Sequence, residues 1–184
     1  SAGLDDVFVA KLKPSGTFAW AKRQGGTLED VGYIITVDGF GNIYATGSFQ
    51  GNADFDPGPG VFGLTSAGEA DVFVSKLNSV GSFVWATSLG YDVQNATEDA
   101  AGHLYVLGGF SGTLSLGAVR LSTRTSGNYD LYLAKLAPDG TVLWARHSPH
   151  PYSYDPEPLV VDRDNHLYLA SPLYRDTDLD GTLF

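Results

Sequence analysis

The chain has 184 residues, and its 11 Lys and Arg against 21 Asp and Glu give a formal net charge of −10. It contains no cysteine, which excludes disulfide scaffolds, cysteine-ligated zinc and thiol nucleophiles. The acidic balance argues against a nucleic-acid-binding module, which depends on a basic surface, and no apolar run approaches the ~20 residues that span a bilayer.

The chain begins at Ser1 and contains no methionine, so Ser1 is not a translation start. We therefore expect a processed product, a fragment or a part of a longer chain. Apolar residues make up 43 % of the sequence, which is enough for a hydrophobic core in one or two domains.

The first predicted elements form a β-hairpin that recurs twice. Residues 6–12 read as a strand, a Pro-Ser-Gly turn follows, and residues 17–22 read as the returning strand. The same pattern returns as DVFVSKLNSVGSFVW from Asp71 and as DLYLAKLAPDGTVLW from Asp130. The closing tryptophans of the three copies are 65 and 59 residues apart: Trp20, Trp85 and Trp144.

A second hairpin pattern alternates with the first. It reads VDGFGNIYATGSF from Val37, EDAAGHLYVLGGF from Glu98 and VDRDNHLYLASPL from Val161. It predicts strand A over residues 33–37, a tight turn, and strand B over residues 42–49. With strand C over residues 71–77 and strand D over residues 82–88, one period of about sixty residues holds four antiparallel strands.

The connection between strands B and C is too long for a structureless loop in a compact domain. We expect a small extra hairpin there, with residues 53–55 against residues 61–65. The next period predicts the same hairpin, with residues 114–116 against residues 119–122. These hairpins explain why the period exceeds the ~40–45 residues of a minimal propeller blade.

Strand C is mostly apolar on both faces, with Phe8 and Leu12 on one face and Val7 and Val9 on the other. A sheet of this kind needs a neighbour on each side, and stacked four-stranded blades of an all-β propeller meet that need. Small residues, which we expect to allow close approach between blades, recur in strand B: Gly47, Gly108 and Ser171.

The pattern D-[VL]-[FY]-[VL]-[AS]-K-L-x4-G-x3-W, alternating with D-x-x-[GD]-[NH]-[IL]-Y-[AVL], resembles the SBBP family of bacterial β-propeller repeats. The stretch ADFDPG from Ala53 is also similar to that family, and the resemblance covers roughly residues 4–172. Membership implies an exported or cell-surface protein, often part of a long multi-domain chain. It implies no catalytic residue, because these repeats are defined by packing positions.

The repeats predict about three blade equivalents, arranged as half a blade, two blades and half a blade. Residues 1–23 form a half blade of strands C and D, residues 24–88 and 89–148 form two blades, and residues 149–173 form a half blade of strands A and B. Residues 174–184 are interpreted as an acidic tail or linker. Because closed propellers usually have four to eight blades, we expect that the chain does not close by itself.

The open strand edges predict partners, namely other copies of the chain or further blades of the same chain. Three arrangements remain open: a piece of a larger propeller, two chains closing a six-bladed ring, and head-to-tail pairing into a filament. We expect neither a nucleic-acid partner nor a membrane span.

The sharpest candidate metal site is Asp176, Asp178 and Asp180, in a D-x-D-x-D-G pattern. Three carboxylates around a tight turn suit Ca²⁺, which prefers hard oxygen ligands. The alternative is a solvated acidic linker. The segment from Asp178 to Phe184 is also similar to the first motif of haloacid-dehalogenase-type phosphatases, but no apolar strand precedes it. A weaker metal-site prediction is Asp54 with Asp56; its alternative is a turn with exposed carboxylates.

The remaining polar residues receive structural interpretations. We expect the segment of His147 and His150 to be a loop, and His103 and His166 to occupy the turn position of Asn42. We expect the recurring tryptophans to pack rather than to bind sugars. A turn hydrogen bond and an ion pair between blades are expected from residues that recur in every copy of strand C: Asp6, Asp71, Asp130, Lys11, Lys76 and Lys135.

The sequence therefore predicts a non-catalytic extracellular propeller segment that acts in adhesion, surface display or assembly. No catalytic residue is assigned, and calcium is the only expected cofactor. One alternative is a structural subunit that polymerises head-to-tail through complementary half blades. The other is part of a ligand-binding or hydrolytic propeller whose site lies outside this chain.

Overall fold

The computed structural model describes residues 3–90, 92–123, 129–149 and 158–170, and the backbone alone of residues 178–179 and 182–183. Every regular element in these residues is a β-strand, which confirms the all-β prediction. The chain divides into two compact units, Ser1–Ser88 and Leu89–Phe184. The division into blades and half blades at residues 23, 88, 148 and 173 stays a prediction.

The first unit contains two four-stranded antiparallel sheets. Its strands are β1 (Val7–Leu12), β2 (Phe18–Gly26), β3 (Asp30–Val37), β4 (Ile43–Phe49), β5 (Asn52–Asp54), β6 (Gly63–Thr65), β7 (Asp71–Leu77) and the first part of β8 (Phe83–Gly90). One sheet has the order β3-β4-β7-β8, which is the predicted A-B-C-D blade, and the other has the order β1-β2-β5-β6.

The register between β4 and β7 places strand B directly opposite strand C. Ile43 pairs with Leu77, Tyr44 with Lys76, and so on without a shift to the end of both strands. Because both strands are rich in β-branched and aromatic residues, they suit the centre of a sheet, where both edges are paired. All but two of the fourteen residues in β4 and β7 are accordingly buried.

The predicted hairpin in the connection between strands B and C is confirmed as β5 and β6, which pair through Asn52 with Thr65 and two further residue pairs. It adds to the edge of the preceding hairpin, because Gly25 and Gly26 of β2 pair with Asp54 and Ala53 of β5. The long connection therefore joins the two sheets of the first unit.

The core of the first unit lies between these two sheets. Phe55 is fully buried and contacts the rings of Phe49, at 5.5 Å between centroids, and Phe73, at 4.7 Å. Gln24 of β2 is also buried; its side chain donates to the Phe55 carbonyl at 2.8 Å and accepts from the Ser75 hydroxyl at 2.9 Å. This buried polar link is fully paired, as stable cores require.

The second unit repeats the plan. Its strands are β9 (Asn95–Glu98), β10 (Leu104–Ser111), β11 (Thr113–Leu116), β12 (Val119–Ser122), β13 (Tyr129–Leu136), β14 (Val142–Pro149), β15 (Leu159–Val161), β16 (Leu167–Leu169), β17 (Asp178–Leu179) and β18 (Thr182–Leu183). The main sheet has the order β9-β10-β13-β14, and β11-β12, β15-β16 and β17-β18 form two-stranded sheets. Leu159 and its neighbours from β15 and β16 pack against Tyr105, Leu107 and Leu131.

The close approach at the small residues of strand B occurs within one sheet, and the expectation that it occurs between blades is wrong. A Cβ at Gly47 would lie 1.9 Å from the Val31 carbonyl oxygen, and one at Gly108 would lie 2.0 Å from the Asp92 carbonyl oxygen. Each carbonyl lies on the chain just before or within strand A of the same blade. Ser171 lies outside the described residues.

Candidate functional site

A densely bonded polar group of the first unit is the turn between β3 and β4. One carboxylate oxygen of Asp38 accepts the backbone N–H groups of Phe40 and Asn42, both at 2.9 Å. The other oxygen accepts the Asn42 side-chain amide at 2.8 Å and the Tyr44 hydroxyl at 3.3 Å. Aspartate suits this position because its short side chain pairs with the donors that a tight turn leaves open.

The same turn recurs between β9 and β10. Asp99 accepts the backbone N–H of Ala101 at 3.0 Å and that of His103 at 2.9 Å. The His103 ring Nδ1 lies 2.9 Å from the second carboxylate oxygen, and the Tyr105 hydroxyl donates to that oxygen at 3.4 Å. The histidine therefore takes the place of Asn42, which confirms its interpretation as a polar turn residue.

A third copy of the turn lies between β15 and β16. Asp162 accepts the backbone N–H groups of Asp164 and His166 at 2.9 Å, and the Tyr168 hydroxyl donates to it at 2.9 Å. Tyr168 is 55 % exposed here, whereas Tyr44 and Tyr105 are buried. The turn thus forms in the same way whether or not its tyrosine is covered.

In the two full sheets, lysine and tryptophan complete a constellation that we call the Asp–Tyr–Lys–Trp network. Lys135 donates to the Tyr105 hydroxyl at 2.7 Å and to Asp99 at 3.3 Å, and its ammonium lies 4.7 Å from the Tyr105 ring centroid. Trp144 meets the same tyrosine ring edge-on, with 6.1 Å between centroids and 62° between planes.

The first unit holds the matching members of the network. The ammonium of Lys76 lies 4.8 Å from the Tyr44 ring centroid, and Trp85 meets that ring at 6.1 Å and 62°. The equal geometry in both copies confirms that these tryptophans are packing residues. Cation–π and edge-to-face contacts of this kind add to the stability that burial provides.

Within the network, Asp99 stays ionised and Lys135 stays protonated near neutral pH. Burial alone would raise the pKa of Asp99, but the hydrogen bonds from the His103 backbone and ring and from Lys135 outweigh it and lower the pKa. Burial would lower the pKa of Lys135, and the Tyr105 and Asp99 contacts instead raise it.

The expected ion pair between blades is wrong for Lys135, which pairs within its own sheet. Lys135 lies on β13 and Asp99 precedes β10, and both strands belong to the sheet β9-β10-β13-β14. Lys11 of β1 instead donates to the Ser79 backbone carbonyl, in the turn between β7 and β8 of the other sheet. The aspartate that opens strand C bonds elsewhere. Asp71 accepts the Ala67 N–H at 2.9 Å, which confirms the expected turn hydrogen bond in that copy.

His147 is a strand residue, and the expectation of a loop at this position is wrong. It lies in β14, where the antiparallel ladder with β13 continues to Pro149. Its ring Nδ1 lies 2.7 Å from a carboxylate oxygen of Asp130, and its ring packs edge-on against Phe110 at 5.7 Å. In the first copy the corresponding pair is Arg23 with Asp6, at 3.5 Å. His150 lies outside the described residues.

The carboxylates of Asp54 and Asp56 shape the loop between β5 and β6. One oxygen of Asp54 accepts the N–H groups of Asp56 at 3.0 Å and Phe62 at 2.8 Å. One oxygen of Asp56 accepts the Gly58 N–H at 2.8 Å. This bonding matches the alternative of a turn, and a metal role for the pair stays a prediction.

The main calcium prediction falls mostly outside the described residues. Asp176 and Asp180 are not described, and of Asp178 only the backbone is described, at the start of β17. The short ladder pairs Asp178 with Leu183 and Leu179 with Thr182. Calcium binding at these residues stays a prediction.

Sequence reasoning did not consider Asp162, Asp164 and His166 as one group. One ligand atom from each lies within 4.8 Å of the others, which is close enough for a shared metal ion. The D-x-D-x-H spacing across a tight turn was the available signal. The oxygens of Asp162 already accept four donors from the turn, however, so the same geometry also follows from the turn alone.

The buried Asp30 and the half-buried Asp92 were also missed. Burial raises the pKa of Asp30, although the N–H groups of Gly26 and Gln50 donate to its carboxylate. Burial likewise raises the pKa of Asp92, against hydrogen bonds from Gln94 and from the backbone. Asp30 begins β3 and Asp92 precedes β9. In both places the sequence shows only an aspartate followed by a valine, which gives no sign of burial.

Within the described residues, no helix has the length and apolar character needed to cross a membrane. A comparison with curated proteins finds no match. Residues 19–55 match the SBBP family, described as a beta-propeller repeat, and they run from near the start of β2 through β3 and β4 to just past β5. This stretch of the chain is therefore similar to a β-propeller repeat of the SBBP family.

Proposed function

We propose that the chain is a non-catalytic, extracellular β-propeller segment that acts as a scaffold in adhesion, surface display or assembly. The observation that carries the proposal is the use of the recurring polar residues. The acids, tyrosines and lysines that repeat from copy to copy bond to one another and to turn backbone, as Asp99, Tyr105 and Lys135 do. Recurrence therefore has a structural explanation that needs no substrate.

Export is supported by two further features. The SBBP resemblance of the repeats implies an exported or cell-surface bacterial protein, and residues 19–55 match that family. The net charge of −10 and the absence of cysteine are compatible with a surface exposed to the medium.

Localisation is the experiment that tests this proposal. An antibody against the purified chain should label intact cells of the producing organism, or detect the protein in the culture medium. Labelling that appears only after the cells are lysed would contradict an extracellular role. A cytoplasmic protein probed in the same cells controls for leakage.

The non-catalytic part of the proposal has its own test. If a hydrolytic activity is found in the purified chain, variants of the candidate acidic residues decide its origin. Activity that persists in Asp54→Asn/Asp56→Asn and in Asp162→Asn would indicate a contaminant. Its loss in one of these variants, with the melting temperature unchanged, would refute the proposal.

A further inference from the structure

Three turns lie at one end of the first unit: residues 13–17 between β1 and β2, residues 38–42 between β3 and β4, and residues 78–82 between β7 and β8. A Cβ on Gly41 of the second turn would lie 3.3 Å from the Ser79 side chain, so the second and third turns are in close contact. Lys11, near the end of β1, donates to the Ser79 carbonyl at 3.1 Å, which places the first turn beside the third. We call this end of the unit the turn end.

The tips of two of these turns carry apolar side chains. Phe40 is 71 % exposed and Val80 is 66 % exposed. The sheet β3-β4-β7-β8 that carries both turns has all four strands, so these side chains are exposed because they project beyond the end of a complete blade. Because the two turns are in close contact, their tips form one apolar patch. The second unit has Ala101 and Asp139 at the equivalent positions, so the patch belongs to the first unit.

Positive charge lies beside this patch. Lys13 is exposed in the first turn. The stem of Lys22 lies against the third turn, because a Cβ on Gly81 would lie 3.1 Å from its Cγ and 3.2 Å from its Cε. The three turns contain one carboxylate, that of Asp38, which is buried and bonded within its own hairpin. Lysine is therefore the exposed charge at these turns.

Exposed acidic residues lie at the opposite end of the same strands. Asp5, Glu29 and Glu69 are exposed and come shortly before the first residues of β1, β3 and β7, whereas the turns follow the last residues of these strands. The first unit is thus polarised, even though the net charge of the chain is −10. At physiological ionic strength, repulsion between those distant carboxylates and an anionic surface is screened beyond about 8 Å.

Apolar tips beside lysines suit the interface of a lipid bilayer. Aromatic and aliphatic side chains gain free energy when they leave water for the boundary between headgroups and acyl chains. Lysine stems follow apolar surface while the ammonium reaches lipid phosphates, and each lysine near an anionic leaflet adds to the binding. An acidic polysaccharide would attract the lysines but would leave Phe40 and Val80 in water.

We propose that the turn end of the first unit binds the surface of an anionic lipid bilayer. Phe40 and Val80 enter the headgroup region, and Lys13 and Lys22 pair with lipid phosphates. The contact is peripheral, since it uses only turn tips and the lysines beside them. The inference goes beyond the scaffold function, and neither depends on the other.

Co-sedimentation with lipid vesicles measures this binding. The full chain is mixed with large unilamellar vesicles of phosphatidylcholine alone, or of phosphatidylcholine and phosphatidylglycerol in equal parts. We expect the protein to sediment with the anionic vesicles. Partitioning onto the neutral vesicles should be about tenfold weaker, because their surface does not attract the lysines.

The tip variant replaces each apolar residue by the residue at the equivalent turn position of another copy. Phe40→Ala follows Ala101, and Val80→Ser follows Ser15, so the turns should keep their conformation. The double variant should partition onto anionic vesicles about tenfold more weakly, because it loses the apolar contact with the bilayer. Its melting temperature should be unchanged.

The charge variant is designed in the same way. Lys13→Asn follows Asn78, and Lys22→Thr follows Thr87. This double variant should also partition about tenfold more weakly onto the anionic vesicles, because two cations have been removed from the contact.

Matched controls change exposed residues outside the turn end. Leu28→Ala removes an apolar side chain that is 43 % exposed in the connection between β2 and β3. Arg120→Gln removes an exposed cation on β12. Each control should change the partitioning by less than about twofold, because neither residue belongs to the proposed contact.

The outcomes separate the proposal from its alternatives. Binding to anionic vesicles that both double variants weaken and both controls preserve would support it. Absence of binding, equal binding to neutral vesicles, or equal loss in variants and controls would overturn it. Binding to dextran sulfate without binding to anionic vesicles would also overturn it, in favour of an acidic polysaccharide. None of these results bears on the scaffold function, which is tested separately by localisation.

Discussion

At the scale of single residues, the turn aspartates explain most of the polar recurrence in this sequence. Asp38, Asp99 and Asp162 each cap a turn and then reach a tyrosine two positions beyond the asparagine or histidine. A buried carboxylate with several donors is costly to remove, because each donor then loses its partner. The repeated aspartate is therefore a folding requirement of each hairpin.

Removal of the Asp99 carboxylate should destabilise the protein more than removal of an exposed turn carboxylate. We expect Asp99→Ala to lower the free energy of unfolding by about 2–3 kcal/mol, because it leaves buried donors without an acceptor. Asp139→Ala, whose carboxylate accepts the Thr141 N–H in an exposed turn, should cost roughly 1 kcal/mol or less. Urea unfolding of both variants measures the difference, and equal losses would contradict the role assigned to the network.

Acid should lower the free energy of unfolding by protonating the turn aspartates Asp38 and Asp99. The folded-state pKa values of Asp38 and Asp99 lie below the ordinary aspartate value of 3.8, so their contribution to stability is present above that pH and is lost as the pH falls through the lowered values. We expect the free energy of unfolding to drop as the pH falls from about 5 through the lowered pKa values of these carboxyl groups.

The Asp99→Asn variant is the control for this acid dependence. Its stability should be lower at neutral pH and should fall less steeply below about pH 5, because one titrating group has been removed. An unchanged pH profile would show that Asp99 does not carry the effect. Asp30 acts in the opposite direction, since burial raises its pKa and its protonation favours the folded state.

Calcium is the remaining prediction at the residue scale. If Asp176, Asp178 and Asp180 bind the ion in the folded state, a chelator should lower the melting temperature, with a shift that grows with the calcium concentration used as reference. The triple Asn variant should show no such shift. A wild-type chain that melts at the same temperature with and without chelator would refute calcium binding.

At the scale of elements, glycine in strand B decides how closely strand A approaches. A Cβ at Gly108 would lie 2.0 Å from the Asp92 carbonyl oxygen and 2.8 Å from the Tyr132 ring. The backbone carbonyl of Asp92 has little freedom to move, because Tyr132 donates to it at 3.0 Å and the nearby Gln94 N–H donates to the Leu107 carbonyl of β10 at 2.8 Å. The glycine therefore sets the shape of the blade.

Gly108→Ala should accordingly destabilise the second unit by about 1–3 kcal/mol, the usual cost of overpacking a tight site. Gly39→Ala is the matched control, since a Cβ there meets nothing within 4 Å and its backbone needs no left-handed conformation. Thermal unfolding compares the two variants. A Gly108→Ala chain as stable as the control would show that strand A adjusts without cost.

At the scale of the whole molecule, the same side chain has a different energetic role in each copy. Phe73→Ala should cost about 3–5 kcal/mol, because it opens a cavity beside Phe55 in the core. Phe8→Ala should change the stability of the dilute chain by less than about 0.5 kcal/mol, because its ring is mostly in solvent. Equal losses from both variants would mean that the face of β1 is covered in solution even at high dilution.

The sequence by itself determined the strands, their order and the repeat, because side-chain alternation, turn residues and the DVFVAKL-type pattern are local properties. The strand over residues 71–77 and the extra hairpins were predicted in this way. Local patterns also identified the turn aspartates and the position shared by Asn42, His103 and His166.

Only the tertiary structure decided which residues meet across strands. Lys135 lies 36 residues from Asp99 along the chain. The two side chains meet because the register of β10 and β13 places Lys135 opposite Tyr105 in the same sheet. The burial of Phe73 and the exposure of Phe8 likewise depend on whether another sheet packs against that face of the strand. The nearly identical segments DVFVAKL and DVFVSKL carry no information about such a neighbour. The exposure of Phe8 therefore became visible only when the equivalent positions Phe73 and Tyr132 were compared with it in the structure.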